Sequence, residues 1–191
     1  MEALLISAGV IAFAELGDKT QLLAILLAAR FRTPLPIILG IAVATALNHS
    51  IAALLGTYIG EWLGMNLRWI LTASFLAMGI WTLLPDKFEG EPKLFERYGA
   101  FGATLISFFL IEMGDKTQLA TIALAARFNS IALVATGTTI GMLIADVPAV
   151  YLGEIVAKRV PLKLMRLIAA AIFLLLALAA ALDWGRFLLF A

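Results

Sequence analysis

The chain contains one charged phrase twice, at residues 15–21 and 112–118. The copies read Glu-Leu-Gly-Asp-Lys-Thr-Gln and Glu-Met-Gly-Asp-Lys-Thr-Gln, and equivalent positions lie 97 residues apart. The likeness continues downstream in the residue pairs Leu22/Leu119, Ile25/Ile122, Leu27/Leu124, Ala28/Ala125, Ala29/Ala126, Arg30/Arg127 and Phe31/Phe128. One duplicated unit therefore accounts for both halves of the chain, and the fold must accommodate two similar halves.

Composition places both copies in a membrane protein. Of the 191 residues, 63% are hydrophobic and 14% are charged, and the mean hydropathy of +1.02 is too high for a soluble globular protein. A hydrocarbon core about 30 Å thick requires roughly 20 apolar residues per helix. Six segments meet this requirement: 3–30, 35–59, 67–85, 99–127, 131–156 and 164–183. We therefore expect an all-α integral membrane protein with six transmembrane helices in the lipid bilayer.

The spans form two groups of three. Residues 1–84 make the first three-helix repeat, residues 85–98 a charged hinge with Gly90 and Pro92, and residues 99–191 the second repeat. Because each repeat has an odd number of spans, the second must enter the membrane in the opposite sense to the first. The sequence thus predicts an inverted repeat, an arrangement typical of secondary transporters.

The distribution of basic residues predicts the orientation. One side would carry Arg30, Arg32, Lys87, Lys93, Arg97, Lys158, Arg159, Lys163 and Arg166, and the other Arg68, Arg127 and Arg186. We expect the richer side to be cytoplasmic, so that the hinge lies in the cytoplasm and both termini lie outside.

Several classes of partner are disfavoured. The formal charge is +1 and no basic patch suggests nucleic-acid binding. The chain has no Cys, which excludes disulfides and thiolate metal sites. No motif for an organic cofactor is present, and the sequence is compatible with a homo-oligomer without requiring one.

The repeated phrase predicts a cation site. On insertion scales an ionised side chain near the middle of a span costs about 2.5–3.5 kcal/mol, so such groups are functional by default. Residues three apart share a helix face, and the residues concerned are Glu15, Asp18, Gln21, Glu112, Asp115 and Gln118. If the two repeats meet, four carboxylates and two amide oxygens converge. This all-oxygen set suits a hard divalent ion such as Mn²⁺, Ca²⁺ or Mg²⁺.

A structural alternative is that these charges only pair within each helix. Glu15 precedes Lys19, and Glu112 precedes Lys116, by four residues in the favourable order. Such pairing would leave the aspartate of each copy without a partner, which favours a functional site. The two lysines are also candidates for a proton relay.

Other small and polar residues of the phrases have two readings each. Gly17 and Gly114 are either packing contacts or points where the helix loosens and frees carbonyl oxygens. Thr20 and Thr117 either bond back to their own helix or take part in binding the ion.

Further polar residues lie inside the other spans. Asn48, His49 and Asp146 are either a proton relay or secondary site, or hydrogen-bonded contacts between helices. His49 is the only histidine, and it is equivalent to Asp146 in the duplication. A set of glycines at four-residue spacing predicts close helix packing: Gly56, Gly60 and Gly64, and Gly137 and Gly141.

The duplicated Glu-x-Gly-Asp-Lys-Thr phrase in two three-span halves resembles the manganese and calcium cation/proton exchangers of bacterial, Golgi and chloroplast membranes. The resemblance covers essentially the whole chain. It implies export of Mn²⁺ or Ca²⁺ from the cytoplasm in exchange for protons, with Glu15, Asp18, Glu112 and Asp115 as the cation site. Because the chain shows no targeting extension like those of organellar members, a bacterial plasma membrane is expected.

The predicted function is therefore an alternating-access antiporter, not an enzyme. A uniporter or channel would share the site without obligatory exchange. An intramembrane enzyme with paired carboxylates is disfavoured, because no nucleophile, cofactor motif or substrate domain accompanies them. A structural scaffold is the remaining option.

Overall fold

The computed structural model describes residues 1–84, 95–159 and 162–182, and this part of the chain is helical with no strand. Its helices are α1 (Glu2–Glu15), α2 (Lys19–Phe31), α3 (Pro34–Leu63), α4 (Leu67–Thr82), α5 (Phe95–Glu112), α6 (Lys116–Phe128), α7 (Ile131–Arg159) and α8 (Leu162–Ala181). A short 3₁₀ turn, Gly64–Asn66, joins α3 to α4. The all-α prediction is thus confirmed for these residues.

The two halves repeat the same order of helices. Helix α6 begins and ends 97 residues after α2, and Ile131 at the start of α7 lies 97 residues after Pro34 at the start of α3. Each half has two shorter helices, one long helix and a final helix. The six-span inverted topology and the predicted domain boundaries remain predictions.

The structure corrects the expectation that each charged phrase lies within a continuous helix. Helix α1 ends at Glu15 and α2 begins at Lys19, while α5 ends at Glu112 and α6 begins at Lys116. The shared-face argument for Glu, Asp and Gln therefore does not apply, because the three residues do not follow one helical path. A glycine with positive φ stands in each break.

Part of the predicted hinge and the C-terminal end lie outside the described residues. Residues 85–94 and 183–191 belong to this group. Residues 95–98 begin α5, which changes direction at Gly99 (φ 62°, ψ −177°). The assignment of residues 85–98 to the cytoplasm therefore remains a prediction.

Long helices of one half pack on short helices of the other. Helix α1 packs mainly on α7, and α3 packs on α5, α6 and α7. A Cβ at Gly56 would lie 2.2 Å from the Ile122 carbonyl oxygen, and one at Gly141 would lie 2.4 Å from the Ala8 carbonyl oxygen. Gly60 and Gly137 make similar contacts with α6 and α1. The packing role predicted for these four glycines is confirmed.

Gly64 does not share that packing role. A Cβ there would meet nothing within 4 Å, and its φ of +49° lies in the left-handed region that favours glycine. Gly64 follows the last residue of α3 and permits the turn toward α4. Its four-residue spacing from Gly60 therefore reflects the end of the helix.

The molecule buries polar groups of the repeated phrases within a largely apolar core and also exposes large apolar side chains at its surface. Helix α3 has an exposed apolar stripe that includes Leu35, Leu39, Val43, Leu47 and Ile51. The buried interior contains charged and polar side chains of the repeated phrases. Within the described residues, Pro34–Leu63 and Ile131–Leu152 are long and apolar enough to cross a membrane, as judged by length and composition. This distribution suits a chain surrounded by lipid.

Candidate cation site

The first break, between α1 and α2, consists of Leu16, Gly17 and Asp18. Gly17 has φ 82°, a conformation that costs a residue with a Cβ roughly 1–2 kcal/mol. Asp18 has extended backbone and caps α2, because its Oδ1 accepts a hydrogen bond of 2.8 Å from the Lys19 backbone N–H. The helix is therefore interrupted where the carboxylates of Glu15 and Asp18 lie.

The second break has nearly the same geometry. Gly114 has φ 79°, and Asp115 precedes α6 with φ −80° and ψ 167°, close to the −84° and 172° of Asp18. A Cβ at Gly114 would meet nothing within 4 Å. Gly114 is therefore not required for close packing. The structure supports the other interpretation, that this glycine lets the helix loosen.

The two glutamines stabilise the breaks. The Oε1 of Gln21 accepts a hydrogen bond from the Gly17 N–H at 2.9 Å, and that of Gln118 accepts one from the Gly114 N–H at 2.7 Å. Gln21 also donates its Nε2 to the Ala145 carbonyl oxygen on α7 at 3.1 Å. Both predicted amide ligands thus have a structural role, since they satisfy backbone donors that a broken helix leaves without partners.

The threonines hold the glutamates. Thr20 donates its hydroxyl to the Glu15 carboxylate, and Thr117 donates its hydroxyl to Glu112 Oε1 at 2.6 Å. All four side chains are buried. These contacts differ from the back-bonding to the helix that was one of the two interpretations from the sequence, and direct binding of the ion by the threonines remains a prediction. On a continuous helix, residues five apart do not share a face. The Thr–Glu pairs could therefore be recognised only once the break in the helix was known.

The lysines cross between the two halves. Lys19 Nζ lies 2.7 Å from Asp115 Oδ1, and Lys116 Nζ lies 2.9 Å from Asp18 Oδ1. Pairing of Glu with Lys within each phrase would have left Asp18 and Asp115 without a partner. In the structure each aspartate instead pairs with the lysine of the opposite phrase. The two contacts differ in exposure, because the Lys19 side chain is 24% exposed and that of Lys116 is 3% exposed.

The two copies converge on one buried cluster. Ligand atoms of Glu15, Asp18 and Asp115 all lie within 4.8 Å of one another, and each residue is buried. The fourth carboxylate of the phrases, Glu112, is 1% exposed and has one oxygen, Oε2, without a hydrogen-bond partner among the described residues. Such a group of carboxylates can hold a divalent cation through oxygen ligands.

The other predicted polar residues lie on the long helices α3 and α7. His49 Nε2 on α3 lies 3.4 Å from Glu112 Oε1. Asp146 on α7 is fully buried, and neither of its carboxylate oxygens has a hydrogen-bond partner in the described part of the chain. Asn48 donates its Nδ2 to the Phe109 carbonyl oxygen at 3.0 Å, which is the predicted contact between helices.

The structure thus brings the predicted acids and lysines together from both halves. Gln21 and Gln118 lie at the breaks, and Gln118 is partly exposed whereas Gln21 is buried. Sequence reasoning did not anticipate the crossed ion pairs or the role of the threonines. The available signals that a helix could break there were the glycine of each copy and the Asp that follows it, with a Gln three residues later, a pattern typical of a helix N-terminus.

Comparisons with known proteins identify the family of the chain. The family model described as "Divalent cation/proton antiporter GDT1" matches residues 3–90 and 100–186. A "Putative manganese exporter" of Vibrio cholerae serotype O1 is 49% identical over 183 residues, which cover 95% of this chain and 91% of the relative. A GDT1-like protein of Synechocystis is 32% identical over 188 residues, which cover 87% and 90% of the two chains.

A more distant relative is "GDT1-like protein 3" of Oryza sativa subsp. indica. It is 28% identical over 204 aligned positions, with 91% of this chain and 71% of the relative covered. No solved structure matches the chain. Members of the matched family are membrane transporters of cations and not enzymes, which agrees with the resemblance noted from the repeated phrase. The chain belongs to the GDT1 family of divalent cation/proton antiporters.

Proposed function

We propose that this chain exports Mn²⁺ or Ca²⁺ from the cytoplasm in exchange for protons, by alternating access at the buried carboxylate cluster. The observation that carries the proposal is the convergence of Glu15, Asp18 and Asp115 from two separate copies of the phrase. The name of the 49% identical Vibrio cholerae relative, a manganese exporter, favours Mn²⁺.

The cation would bind where the lysine ammonium groups now neutralise the aspartates. Asp18 and Asp115 each contact a lysine of the opposite half. An arriving divalent ion would compete with those lysines for the same oxygens, with Glu15 and Glu112 as the further carboxylate ligands. The side-chain oxygens of Gln21 and Gln118 each accept one backbone hydrogen bond. Because an amide oxygen has two lone pairs, the second lone pair of each could bind an ion.

Charge balance couples the cation to protons. The charged groups of the site are the four buried carboxylates of the phrases, buried Asp146 and Lys116, and partly exposed Lys19, so their formal charge is −3 when all are ionised. A net charge of that size in a low-dielectric region is strongly unfavourable. The cation-free site would therefore hold protons, and one divalent ion would replace two of them. Each loaded form then has the same net charge while access changes.

The duplicated architecture supplies a way to change access. Each half contributes one broken helix pair and one long helix to the cluster. Rocking of one half against the other would open the site first to the cytoplasm and then to the opposite side. In this proposal the two halves are inverted three-span repeats, six spans in all, in a bacterial plasma membrane, with the 85–98 hinge cytoplasmic and both termini outside.

Transport by purified protein in proteoliposomes tests the function. The vesicles contain a trapped pH dye, and a Mn²⁺ or Ca²⁺ gradient is imposed across them. We expect cation flux to drive opposing proton movement and to weaken when both sides are acidified. Cation flux without a pH change, insensitive to acid, would contradict antiport and favour a uniporter or channel.

Charge-neutralising variants connect that activity to the cluster. Glu15→Gln, Asp18→Asn, Glu112→Gln and Asp115→Asn each remove a negative ligand, so each should reduce transport at least tenfold. The matched control is Glu2→Gln, which removes an exposed carboxylate from the other end of α1. Near-normal transport by both variants of one copy would show that its acids are structural.

A further inference from the structure

One position breaks the chemical symmetry of the site. The repeated phrases place identical Glu, Asp, Lys, Thr and Gln residues in both halves. On the long helices, by contrast, His49 of α3 is equivalent to Asp146 of α7. Both side chains are fully buried. One half of the site therefore offers an imidazole where the other offers a carboxylate.

The surroundings of His49 leave its binding capacity largely unused. Its Nε2 lies 3.4 Å from Glu112 Oε1, longer than a good hydrogen bond. Its Nδ1 and the Oε2 of Glu112 have no hydrogen-bond partner among the described residues. Burying polar atoms without partners is unfavourable, so their retention beside a carboxylate cluster calls for an occupant that supplies the missing interactions.

We propose that His49 is a specificity-determining ligand of the transported ion, which it contacts through Nε2 together with Glu112, so that the site favours a transition metal over Ca²⁺. This inference rests on the proposed cation site. Ca²⁺ takes oxygen ligands, whereas imidazole is a common ligand of transition metals. Mn²⁺ binds carboxylate oxygens as Ca²⁺ does, but as a first-row transition metal it also accepts an imidazole nitrogen, so a single nitrogen in an otherwise oxygen-lined site would favour Mn²⁺ over Ca²⁺.

The distance between the two atoms fits a shared ion. Metal–ligand bonds of about 2.1–2.5 Å span the 3.4 Å between Nε2 and Oε1 with a ligand–metal–ligand angle of roughly 85–110°. That range includes the right angle of octahedral coordination. No large movement of α3 relative to α5 is needed for both atoms to bind one ion.

Asp146 makes the two halves unequal as cation ligands. Neither of its oxygens has a partner in the described part of the chain, and it is equivalent to His49. The hard carboxylate lies on α7 and the softer imidazole on α3. Exchange of His49 for Asp would make both long helices present the same oxygen ligand and would remove the basis for discrimination.

Pulsed electron paramagnetic resonance of bound Mn²⁺ tests the contact directly. His49 is the only histidine, so the full chain is used after removal of any affinity tag. Wild-type protein loaded with Mn²⁺ should show coupling to a ¹⁴N nucleus. Growth with ¹⁵N-labelled histidine should replace that coupling with a ¹⁵N signal, whereas coupling from lysine or backbone nitrogen would not change.

A selectivity measurement gives a second readout. Mn²⁺ binding is measured with increasing Ca²⁺ as competitor for wild type, His49→Asp and the control Thr45→Val. Thr45 lies one turn before His49 on α3, is buried, and has a hydroxyl without a partner in the described residues. We expect His49→Asp to lower the ratio of Mn²⁺ to Ca²⁺ affinity at least tenfold, and Thr45→Val to leave it within twofold of wild type.

The outcomes separate this inference from the proposed function. Bound Mn²⁺ with no histidine-derived coupling would overturn the role of His49 while leaving the carboxylate site intact. An unchanged affinity ratio in His49→Asp would do the same. Absence of any Mn²⁺ or Ca²⁺ binding by wild type would instead contradict the proposed function itself. The spectroscopic test uses wild-type protein and so does not depend on folding of the variant.

Discussion

The crossed ion pairs predict an unequal response to removal of the two lysines. Lys116 and Asp18 are separated by 2.9 Å, with side chains 3% and 0% exposed. Lys19 and Asp115 are separated by 2.7 Å, but the Lys19 side chain is 24% exposed. The perturbation is Lys116→Met compared with Lys19→Met, each of which removes an ammonium group and keeps a long apolar side chain.

Burial sets the expected magnitudes. Removing one partner of a buried pair leaves an uncompensated charge and costs about 3–5 kcal/mol. Pairs open to solvent contribute roughly 0–1 kcal/mol. Lys116→Met should therefore lower the free energy of unfolding by about 3 kcal/mol or more, and Lys19→Met by about 1–2 kcal/mol, between those two limits.

Double-mutant cycles isolate the pair from the individual substitutions. Asp18→Asn removes the charge but retains the oxygen that caps α2. Because a neutral pair leaves no charge unpaired, Lys116→Met with Asp18→Asn should recover most of the stability lost in Lys116→Met. The corresponding cycle for Lys19 and Asp115 should give a smaller coupling free energy.

The assay is unfolding of purified protein in mixed micelles by increasing sodium dodecyl sulfate, followed by tryptophan fluorescence. Equal losses from the two lysine variants, or a double variant as unstable as Lys116→Met, would refute the assignment of Lys116 as the buried counter-ion of Asp18.

Three further outcomes follow from the geometry. Gly56→Ala should lower the free energy of unfolding by about 1–3 kcal/mol or more, because the added Cβ would overpack against α6. Gly9→Ala is the control in the same unfolding assay and should not be destabilising, because a Cβ there meets nothing within 4 Å. Gly114→Ala should cost about 1–2 kcal/mol and reduce transport, because its φ of +79° is strained for alanine although the space is open; normal stability would contradict the need for that conformation. Transport in proteoliposomes should slow when both sides are acidified, because protons compete with the cation for carboxylates, and acid-stimulated flux would oppose this mechanism.

The sequence alone was sufficient for the large-scale features of this protein. The 97-residue duplication is visible in the sequence itself. In the structure, α2 and α6 begin and end at equivalent positions of the two copies. Helical, lipid-compatible structure follows from long apolar segments, since backbone groups in lipid must be satisfied within the chain. The acids of the two phrases could be identified as a candidate site from the sequence, because ionisable groups inside a membrane span are energetically costly and are usually retained for function.

Only the tertiary structure decided how those residues are arranged. Helical periodicity predicted that Glu15 and Asp18 share one helix face. The structure instead has a break at Gly17, which the periodicity of the apolar residues could not reveal. The partner of each lysine depends on which side chains the opposite half brings within reach, so i, i+4 spacing favoured Glu15 for Lys19 whereas packing supplies Asp115. The position of His49 beside Glu112 likewise depends on how α3 packs on α5, because residues 63 positions apart share no local signal.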